Sequence, residues 1–398
     1  MTLAYGRSYL AIPGPSVVPD RVLGAMHRAS PNIYEGALVE MVPGLVDDLK
    51  AVARTSADLA IYIGNGHAAW EGALANVLAP GDKVLALVSG AFGLGWAEIA
   101  RRLGADVEIM DFGRQAPLDP AAVAARLARD EGGEIGAVLA VHVDTSTGIR
   151  ADIAGLRAAM DGVGHGALLM VDCIASLGCD RFEMDAWGVD VTLAASQKGL
   201  MCPPGLAYVF FNERAAARRD ALGSVSPWWD WNPRAAPEQF YQYFAGTAPV
   251  QLLLGQREAL DMIAEEGGAQ ALWARHEKLA RAIWAACEAW GEGGALRINA
   301  PAGARSHAVT ALSLPPPQAT LLRQWCEGKA GVTLGIGLGM APSDDPAWHG
   351  HFRIGHMGHV NAHMVLGVLG VIEAGMVALE IAHGAGALAA GAQVIARA

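Results

Sequence analysis

The sequence predicts an α/β protein built on a mostly parallel sheet. Its 398 residues are 53% hydrophobic and 17% charged, which is typical of a globular chain with a large buried core. Between about residues 58 and 212, short apolar runs alternate with longer amphipathic runs. Polar residues do not interrupt the apolar runs at every second position, so we expect these strands to be covered on both faces by the intervening helices.

The predicted elements of this region follow one another in regular order. Apolar runs predict strands at residues 59–63, 83–88, 106–110, 135–142, 167–171 and 189–193. Amphipathic runs predict helices at residues 68–78, 95–103 and 153–160. The apolar run 206–211 predicts a further strand that pairs with its neighbour in the manner of a hairpin.

The C-terminal part of the chain has a different pattern, in which helices predominate. Two long amphipathic runs predict helices at residues 250–266 and 271–290, and further helices and a strand-like run follow. We therefore predict two domains. The large α/β domain comprises residues 14–255, and the smaller α+β domain comprises residues 256–398 together with residues 1–13.

Charge and cysteine content limit the expected partners and compartment. The formal net charge of −11 and the lack of a basic stripe argue against a nucleic-acid partner. Five scattered cysteines, none in a C-x-x-C pair, indicate reduced thiols in a cytoplasmic protein. The first residues lack a basic segment followed by an apolar stretch, so no signal peptide is expected. The apolar segment 364–381 contains Glu373 and Glu380 at helical spacing, which favours a packed helix over a membrane span.

Lys198 differs from the other four lysines because it directly follows an apolar run. A lysine in a low-dielectric pocket loses solvation of its ammonium group, so its pKa falls and the neutral amine becomes a nucleophile. Such an amine forms Schiff bases with carbonyl compounds. The alternative for Lys198 alone is a side chain that extends from the end of a strand into solvent.

The segment after the first predicted strand favours an anion-binding site. Gly64–His67 opens a helix, and two glycines at that point expose backbone N–H groups and the positive end of the helix dipole. With Ala69, the segment also matches a weak G-x-G-x-x-A dinucleotide fingerprint. The next strand ends at Ser89 without an acid to bind a ribose, so a phosphate site is favoured. A Rossmann-type, NAD-dependent oxidoreductase is the alternative, and an ordinary helix residue is the alternative for His67.

Other strand ends carry side chains suited to a flat, charged cofactor, because ligands of open α/β sheets bind at the carboxyl ends of the strands. Phe92 follows the second strand and could stack on a ring, although core packing would equally account for it. The polar run 142–148 follows the fourth strand and offers hydroxyl groups. Asp172 ends the fifth apolar run, and a buried carboxylate needs a cationic partner such as a protonated pyridinium nitrogen.

Taken together, these segments resemble the class V, fold-type I pyridoxal-phosphate aminotransferases, and within them the alanine–glyoxylate and serine–glyoxylate aminotransferase group. The resemblance covers nearly the whole chain in order. The segments that carry it are Pro13–Ser16, Gly64–His67, His142–Gly148, Val171–Gly178, Ser196–Gly199, Phe244–Pro249 and Phe352–Gly355.

The resemblance implies a fold-type I large domain with a mostly parallel, seven-stranded sheet between helices, and pyridoxal 5'-phosphate as cofactor. Lys198 would be the lysine of the internal aldimine and the base of the proton shift, and Asp172 would pair with the pyridinium nitrogen. Phe92 would stack on the ring and Thr145 would lie beside its phenolic oxygen. The remaining cofactor contacts expected in the same subunit are Asn65, Gly66, His67, Ile174 and Gln197.

The resemblance also implies a homodimer with shared active sites. Phe244 and Thr247 would reach the phosphate region of the other subunit. Arg353 would pair with the α-carboxylate of the substrate, for which a planar guanidinium group is suited. Tyr34 is expected at the substrate site as well.

The predicted function is a cytoplasmic aminotransferase that moves the amino group of serine or alanine to glyoxylate or pyruvate by ping-pong chemistry. A pyridoxamine–pyruvate aminotransferase is the alternative within the same chemistry, supported by Tyr34–Glu35 and by residues 353–358. It is ranked second because Asn65 stands where a glutamate would be expected, and because an arginine near Leu338 is missing. No metal site is expected in the late histidine cluster formed by His349, His351, His356, His359 and His363.

Overall fold

Two sheets organise the protein in the computed structural model, which describes residues 2–397. The strands are β1 (Tyr9–Ala11), β2 (Asp58–Gly64), β3 (Lys83–Val88), β4 (Asp106–Asp111), β5 (Ile135–Val141), β6 (Val143–Asp144), β7 (Ile149–Arg150), β8 (Leu168–Asp172), β9 (Val191–Ala195), β10 (Gly205–Phe211), β11 (Arg297–Ile298), β12 (Val309–Ser313), β13 (Val332–Ile336) and β14 (His351–Gly355). The helices are α1 (Asp20–Met26), α2 (Ala37–Ala53), α3 (Gly66–Val77), α4 (Ala91–Arg102), α5 (Pro120–Leu127), α6 (Ile153–Gly162), α7 (Glu213–Asp220), α8 (Asn232–Ala235), α9 (Val250–Glu266), α10 (Gly268–Glu292), α11 (Gln318–Ala330), α12 (Ala362–Ala378) and α13 (Ala387–Ala396).

The large domain contains a seven-stranded sheet in the order β2-β10-β9-β8-β5-β3-β4. β10 runs antiparallel to both of its neighbours, and the other pairs are parallel. The prediction of a mostly parallel, seven-stranded sheet is therefore confirmed. The central strands β8 and β9 are buried along their whole length, which explains why they are continuous apolar runs in the sequence.

The helix α2 was not predicted, although its buried residues recur at helical spacing (Leu38, Val42, Leu45, Leu49 and Val52). Pro43 lies inside this helix, and a proline in a helix interior is a signal against helix in a sequence. The segment is helical because its apolar face packs into the core of the large domain.

The small domain is organised by a five-stranded sheet in the order β1-β13-β14-β12-β11. β1 pairs with β13, so residues 9–11 belong to this sheet. The predicted boundary after residue 255 falls inside α9. Leu260 of α9 and Leu272 of α10 belong to the core of the large domain, and the first α10 residue in the small-domain core is Leu279. The hydrophobic packing thus passes from one core to the other within α10, and the predicted domain boundary stays a prediction.

The late apolar segment forms α12, which buries residues such as Val365 and Ile372 in the core of the small domain. A packed helix was predicted there. Within residues 2–397, no helix is both long enough and apolar enough to cross a membrane.

Asp190, directly before β9, joins this strand to β8 by hydrogen bonds and so fixes the position of the two strands relative to each other. Its Oδ2 accepts a hydrogen bond of 2.8 Å from the backbone N–H of Leu169, and its own N–H donates to the carbonyl of Leu169 at 2.9 Å. Its Oδ1 accepts hydrogen bonds from Asn212 and Arg214 at 2.9 and 2.8 Å. The carboxylate is 1% exposed, so these donors replace the water it has lost.

We expect Asp190→Ala to lower the free energy of unfolding by about 3–5 kcal/mol, because it leaves buried donors without an acceptor. The matched control is Asp161→Ala, which removes a 65% exposed partner of Arg157 within one helix. That change should cost about 0.5 kcal/mol or less. Denaturant unfolding at a fixed protein concentration measures both values, and equal losses would contradict the assigned role of Asp190.

Candidate active site

A cavity of about 230 Å³ opens at the carboxyl ends of the central strands. The structure brings nine of the predicted cofactor contacts together around it, namely Asn65, Gly66, His67, Phe92, Thr145, Asp172, Ile174, Gln197 and Lys198. Trp70, Val143 and Ala175 complete the lining. The residues converge because successive parallel strands end at the same edge of the sheet.

Lys198 lies in the turn after β9 and not on the strand itself, which ends at Ala195. Its Nζ donates a hydrogen bond of 2.5 Å to the carbonyl of Pro13. Burial and, to a smaller extent, the positive charge of Arg353 lower the pKa of Lys198 to about 8. A neutral amine is therefore available on Lys198 near neutral pH.

The segment 13–16 crosses directly over Lys198. Gly14 has a φ of +105°, and a Cβ on Gly14 would lie 2.1 Å from the Nζ of Lys198, so only glycine fits there. The hydroxyl of Ser16 donates to the carbonyl of Lys198 at 2.8 Å, and its N–H donates to the carbonyl of Gln197 at 2.9 Å. These contacts fix the backbone that carries the lysine.

Asp172 is the last residue of β8 and is 3% exposed. The backbone N–H of Ile174 donates to its Oδ1 at 2.7 Å, and the indole N–H of Trp70 donates to its Oδ2 at 2.8 Å. Burial raises the pKa of Asp172 to about 7, while these two hydrogen bonds act in the opposite direction. The carboxylate thus lacks a full counter-charge, and a cation placed in the cavity would stabilise it.

The N-terminus of α3 faces the cavity next to Asp172. The Oδ1 of Asn65 caps this helix by accepting a hydrogen bond of 3.0 Å from the N–H of His67. A Cβ on Gly66 would lie 2.6 Å from Cδ1 of Ile174, so glycine is required by close packing. On the other side of the cavity, the buried Oε1 of Gln197 has no hydrogen-bond partner within residues 2–397.

Asp144 holds the third side of the cavity in place. Its Oδ2 accepts hydrogen bonds from the N–H groups of Phe92 and Gly93 at 2.9 and 3.2 Å, and its Oδ1 accepts from the N–H of Ser146 at 3.0 Å. Burial raises the pKa of Asp144, and these hydrogen bonds oppose that rise. One buried carboxyl group therefore joins the backbone at Phe92 to the turn that carries Thr145.

Arg353 of β14 reaches the cavity from the small domain. It is 6% exposed, and its Nε and Nη1 donate to the carbonyls of Ile336 and Thr145 at 2.6 and 3.0 Å. Burial lowers the pKa of Arg353 to about 10, so the guanidinium group stays charged near neutral pH. Its Nη2 makes no hydrogen bond to any residue in the described part of the chain, which leaves a donor free for a ligand.

Besides Arg353, which approaches the edge, three predicted site residues do not line this cavity. Tyr34 and Thr247 line a second cavity of about 510 Å³, and Tyr34 is 86% exposed. Phe244 is 0% exposed and packs against Phe240 and Tyr243 with ring centroids 5.7 and 6.0 Å apart. The Phe244 side chain thus packs in the core of its own subunit, and the expectation that Phe244 and Thr247 reach the other subunit stays a prediction.

The sequence interpretation assigned no role to Trp70 or Asp144. Trp70 lies one helical turn after His67, and this spacing was the available signal. Asp144 lies inside the polar run 142–148 but was grouped with its hydroxyl neighbours. Within residues 2–397, no group of three or more potential metal ligands comes together, and His356 of the late cluster is instead buried and bonded to Thr310 at 2.9 Å.

Comparison with known proteins gives full-length matches. A model of the family "Aminotransferase class-V" matches residues 47–340. The serine–glyoxylate aminotransferase of Arabidopsis thaliana is 35% identical over 92% of this chain and 90% of its own length. The L-aspartate–glyoxylate aminotransferase of Paracoccus denitrificans is 33% identical over 95% of this chain and 94% of its own length. The crystal structure of pyridoxamine–pyruvate aminotransferase from Mesorhizobium loti has a TM-score of 0.88 and 26% identity, and covers 99% of both chains.

These likenesses overturn the Rossmann-type alternative. The turn that suggested a dinucleotide fingerprint faces Ile174 and the cavity around Asp172, and the chain-long matches are to aminotransferases. The family match extends over more than half of the chain, and relatives that are 33–35% identical cover nearly all of it. The chain therefore belongs to the class-V aminotransferase family and is a transaminase with the fold-type I architecture.

Proposed function

We propose that this transaminase binds pyridoxal 5'-phosphate in the 230 Å³ cavity and transfers the amino group of serine or alanine to glyoxylate or pyruvate. One observation supports the proposal more strongly than any other. The amine of Lys198 and the carboxylate of Asp172 are both buried in the same cavity, and both have pKa values moved towards neutrality, to about 8 and about 7.

The residues that line the cavity fit this cofactor. The carboxylate of Asp172 needs a cation, which a protonated pyridine nitrogen would supply. The N-terminus of α3 at Asn65 and Gly66 suits a phosphate group. The unpaired Oε1 of Gln197 is an acceptor for a group that the described residues do not supply. Phe92 offers a flat apolar surface for a ring.

The bound cofactor supplies an electron sink for the bonds of the amino-acid Cα. The protein's own residues provide the remaining functions. Lys198 Nζ, which is neutral in part near neutral pH, accepts and returns the proton of Cα. Arg353 orients the substrate by binding its α-carboxylate through the free Nη2. Asp144 joins the backbone at Phe92 to the turn that carries Thr145, so that little reorganisation is needed when the substrate binds.

The charge of the cavity supports a donor with an uncharged side chain. Among the described residues that line the cavity, Lys198 is the only lysine or arginine, and Arg353 approaches at its edge. Arg353 can thereby pair with the α-carboxylate of the donor. A dicarboxylic donor would need a further cation to offset the desolvation of its second carboxylate. The serine–glyoxylate aminotransferase named above supports serine with glyoxylate in particular.

The alternative, a pyridoxamine–pyruvate aminotransferase, is supported by the similar fold of the Mesorhizobium loti enzyme. In that alternative, pyridoxamine is the substrate and no cofactor phosphate is bound. The N-terminus of α3 at Gly66 lies at the cavity and suits an anion, which favours the phosphate-containing cofactor. Binding of pyridoxal 5'-phosphate much more tightly than pyridoxal supports the first proposal, and equal affinities support the alternative.

We further propose a homodimer in which each cavity is completed by its partner. The second cavity combines polar groups with exposed aromatic side chains, and its lining includes Tyr34, Tyr241 and Thr247. Tyr34 is 86% exposed and Tyr241 is 58% exposed. Exposed aromatic side chains around a concave surface are typical of protein interfaces.

Borohydride reduction in the presence of pyridoxal 5'-phosphate should attach the cofactor covalently to Lys198. Lys198→Ala should abolish the attachment, since the amine is the reacting group. Lys83→Ala is the control, because it removes an exposed lysine that pairs with Glu134 on the surface. The rate of attachment to cofactor-free protein should rise with pH through about 8 and level off above that value, as the neutral amine forms. Mass spectrometry locates the modified residue, and modification of the Lys198→Ala variant would contradict the proposal.

Arg353→Lys should raise KM for every amino-acid donor by about 10- to 100-fold, because lysine keeps the charge but loses the planar fork. The control is Arg281→Lys on α10, which changes a 63% exposed arginine that pairs with Glu277 within one helix. Steady-state kinetics with a panel of donors against glyoxylate and pyruvate gives both the KM values and the preferred donor. Unchanged KM values for all donors would contradict the role of Arg353.

Tyr241→Asp should dissociate the dimer and weaken the binding of pyridoxal 5'-phosphate at the same time, because a charge replaces an aromatic contact in the interface. Val377→Asp is the control, since it adds the same charge at a 64% exposed apolar position of the small domain. Sedimentation equilibrium and cofactor titration measure the two effects. A monomeric variant with unchanged cofactor affinity would disprove the shared site.

A further inference from the structure

The indole nitrogen of Trp70 bonds the carboxylate on which the proposed chemistry depends. Trp70 Nε1 lies 2.8 Å from Oδ2 of Asp172, and the backbone N–H of Ile174 lies 2.7 Å from Oδ1. In the part of the chain that the structure describes, Trp70 is the only side chain that donates a hydrogen bond to Asp172. Each carboxylate oxygen has one donor, and the two donors together fix the rotation of the carboxylate plane.

The indole ring of Trp70 is itself held in place by its neighbours. Trp70 is 2% exposed and stacks on Trp96 with ring centroids 6.4 Å apart and an angle of 15° between the planes. The rings of His67 and Phe92 lie 4.7 and 6.2 Å from it. A Cβ on Gly95 would lie 3.3 Å from Cζ3 of the indole, so α4 approaches the ring closely. The ring cannot turn away from Asp172 without moving these neighbours.

We propose that Trp70 is a positioning residue for transamination, whose N–H keeps Asp172 ionised and aimed at the ring nitrogen of the cofactor. The inference rests on the proposed binding of pyridoxal 5'-phosphate. A buried carboxylate tends to take up a proton, and a hydrogen bond to its charged form opposes that uptake. If Asp172 takes the proton, the ring nitrogen loses it and withdraws electrons less strongly.

The hydrogen bond matters because Asp172 titrates close to neutral pH. Burial and the nearby charge of Asp144 raise its pKa, whereas Ile174, Trp70 and Lys198 lower it, and the net value is about 7. Removing the N–H of Trp70, which is one of the groups that lower the pKa of Asp172, therefore raises that pKa. The ionised fraction of Asp172 then falls at the pH where the enzyme works.

Trp70→Phe tests the proposal, because it keeps an aromatic ring and removes the N–H. In protein loaded with cofactor that carries a ¹⁵N label in its ring, the ¹⁵N resonance reports whether the ring nitrogen is protonated. We expect this resonance to move towards its unprotonated position at neutral pH. The acid limb of the kcat/KM profile should move up by about one pH unit.

Trp96→Phe is a matched control from the same cluster. Trp96 is 1% exposed and stacks on Trp70, but its Nε1 has no hydrogen-bond partner within residues 2–397. The control loses the same atoms without losing a bond to Asp172. We expect its ¹⁵N resonance and its pH profile to match those of the unsubstituted protein. Equal changes in the Trp70 and Trp96 variants would show a packing effect and overturn the proposal.

A double-mutant cycle separates action through Asp172 from a general loss of packing. Trp70→Phe should weaken the binding of pyridoxal 5'-phosphate about 5- to 10-fold in the presence of Asp172, and less than about 2-fold in an Asp172→Asn background. Equal losses in the two backgrounds would overturn the proposal. If Trp70→Phe does not fold, Trp70→His takes its place, because histidine retains a ring N–H. A ¹⁵N resonance at its protonated position in this variant supports the role of the donor. A resonance at the unprotonated position opposes that role. Failure of the unsubstituted protein to bind the cofactor would instead refute the proposed function.

Discussion

The arrangement of the molecule depends on keeping a carboxylate and an amine out of water at one edge of one sheet. Asp172 ends β8 and Lys198 follows β9, and these strands are parallel neighbours. Burial disfavours the charged form of each group, so it raises the pKa of the acid and lowers that of the base. The two values approach each other near neutrality. Each group can therefore change its protonation state near neutral pH, and each needs neighbouring groups to offset the loss of solvation.

The neighbouring groups come from both domains. Trp70 and Ile174 of the large domain donate to Asp172, whereas the carbonyl of Pro13 accepts from Lys198. The residues before Pro13 form β1, which pairs with β13 in the small domain. The chain therefore passes from the small sheet directly over the lysine. Arg353 adds a second link, because it joins β14 to the carbonyl of Thr145. Residues of both domains therefore contact Lys198 and the edge of the cavity.

Much of the large domain could be predicted because its signals are local. Strands buried on both faces are continuous apolar runs, and the ends of parallel strands share one edge of the sheet. These two facts suffice to bring nine predicted residues around one cavity, from Asn65 to Lys198. The helix α2 was missed because Pro43 contradicts a helix locally, while the packing that stabilises α2 is not local. The passage from one core to the other within α10 is likewise not visible in the sequence, because helical periodicity does not indicate which core a residue joins.

The sequence by itself determined the order of the chemical groups along the chain and the strand or helix that each one follows. These properties arise from periodicity and from residue type, which are local. The tertiary structure alone decided which atoms face each other. Trp70 and Asp172 are 102 positions apart, and Arg353 and Thr145 are 208 apart, yet each pair is joined by a hydrogen bond. It also decided that Phe244 faces its own core and that Asp172 and Lys198 titrate near neutral pH, because burial is a property of the whole packed chain.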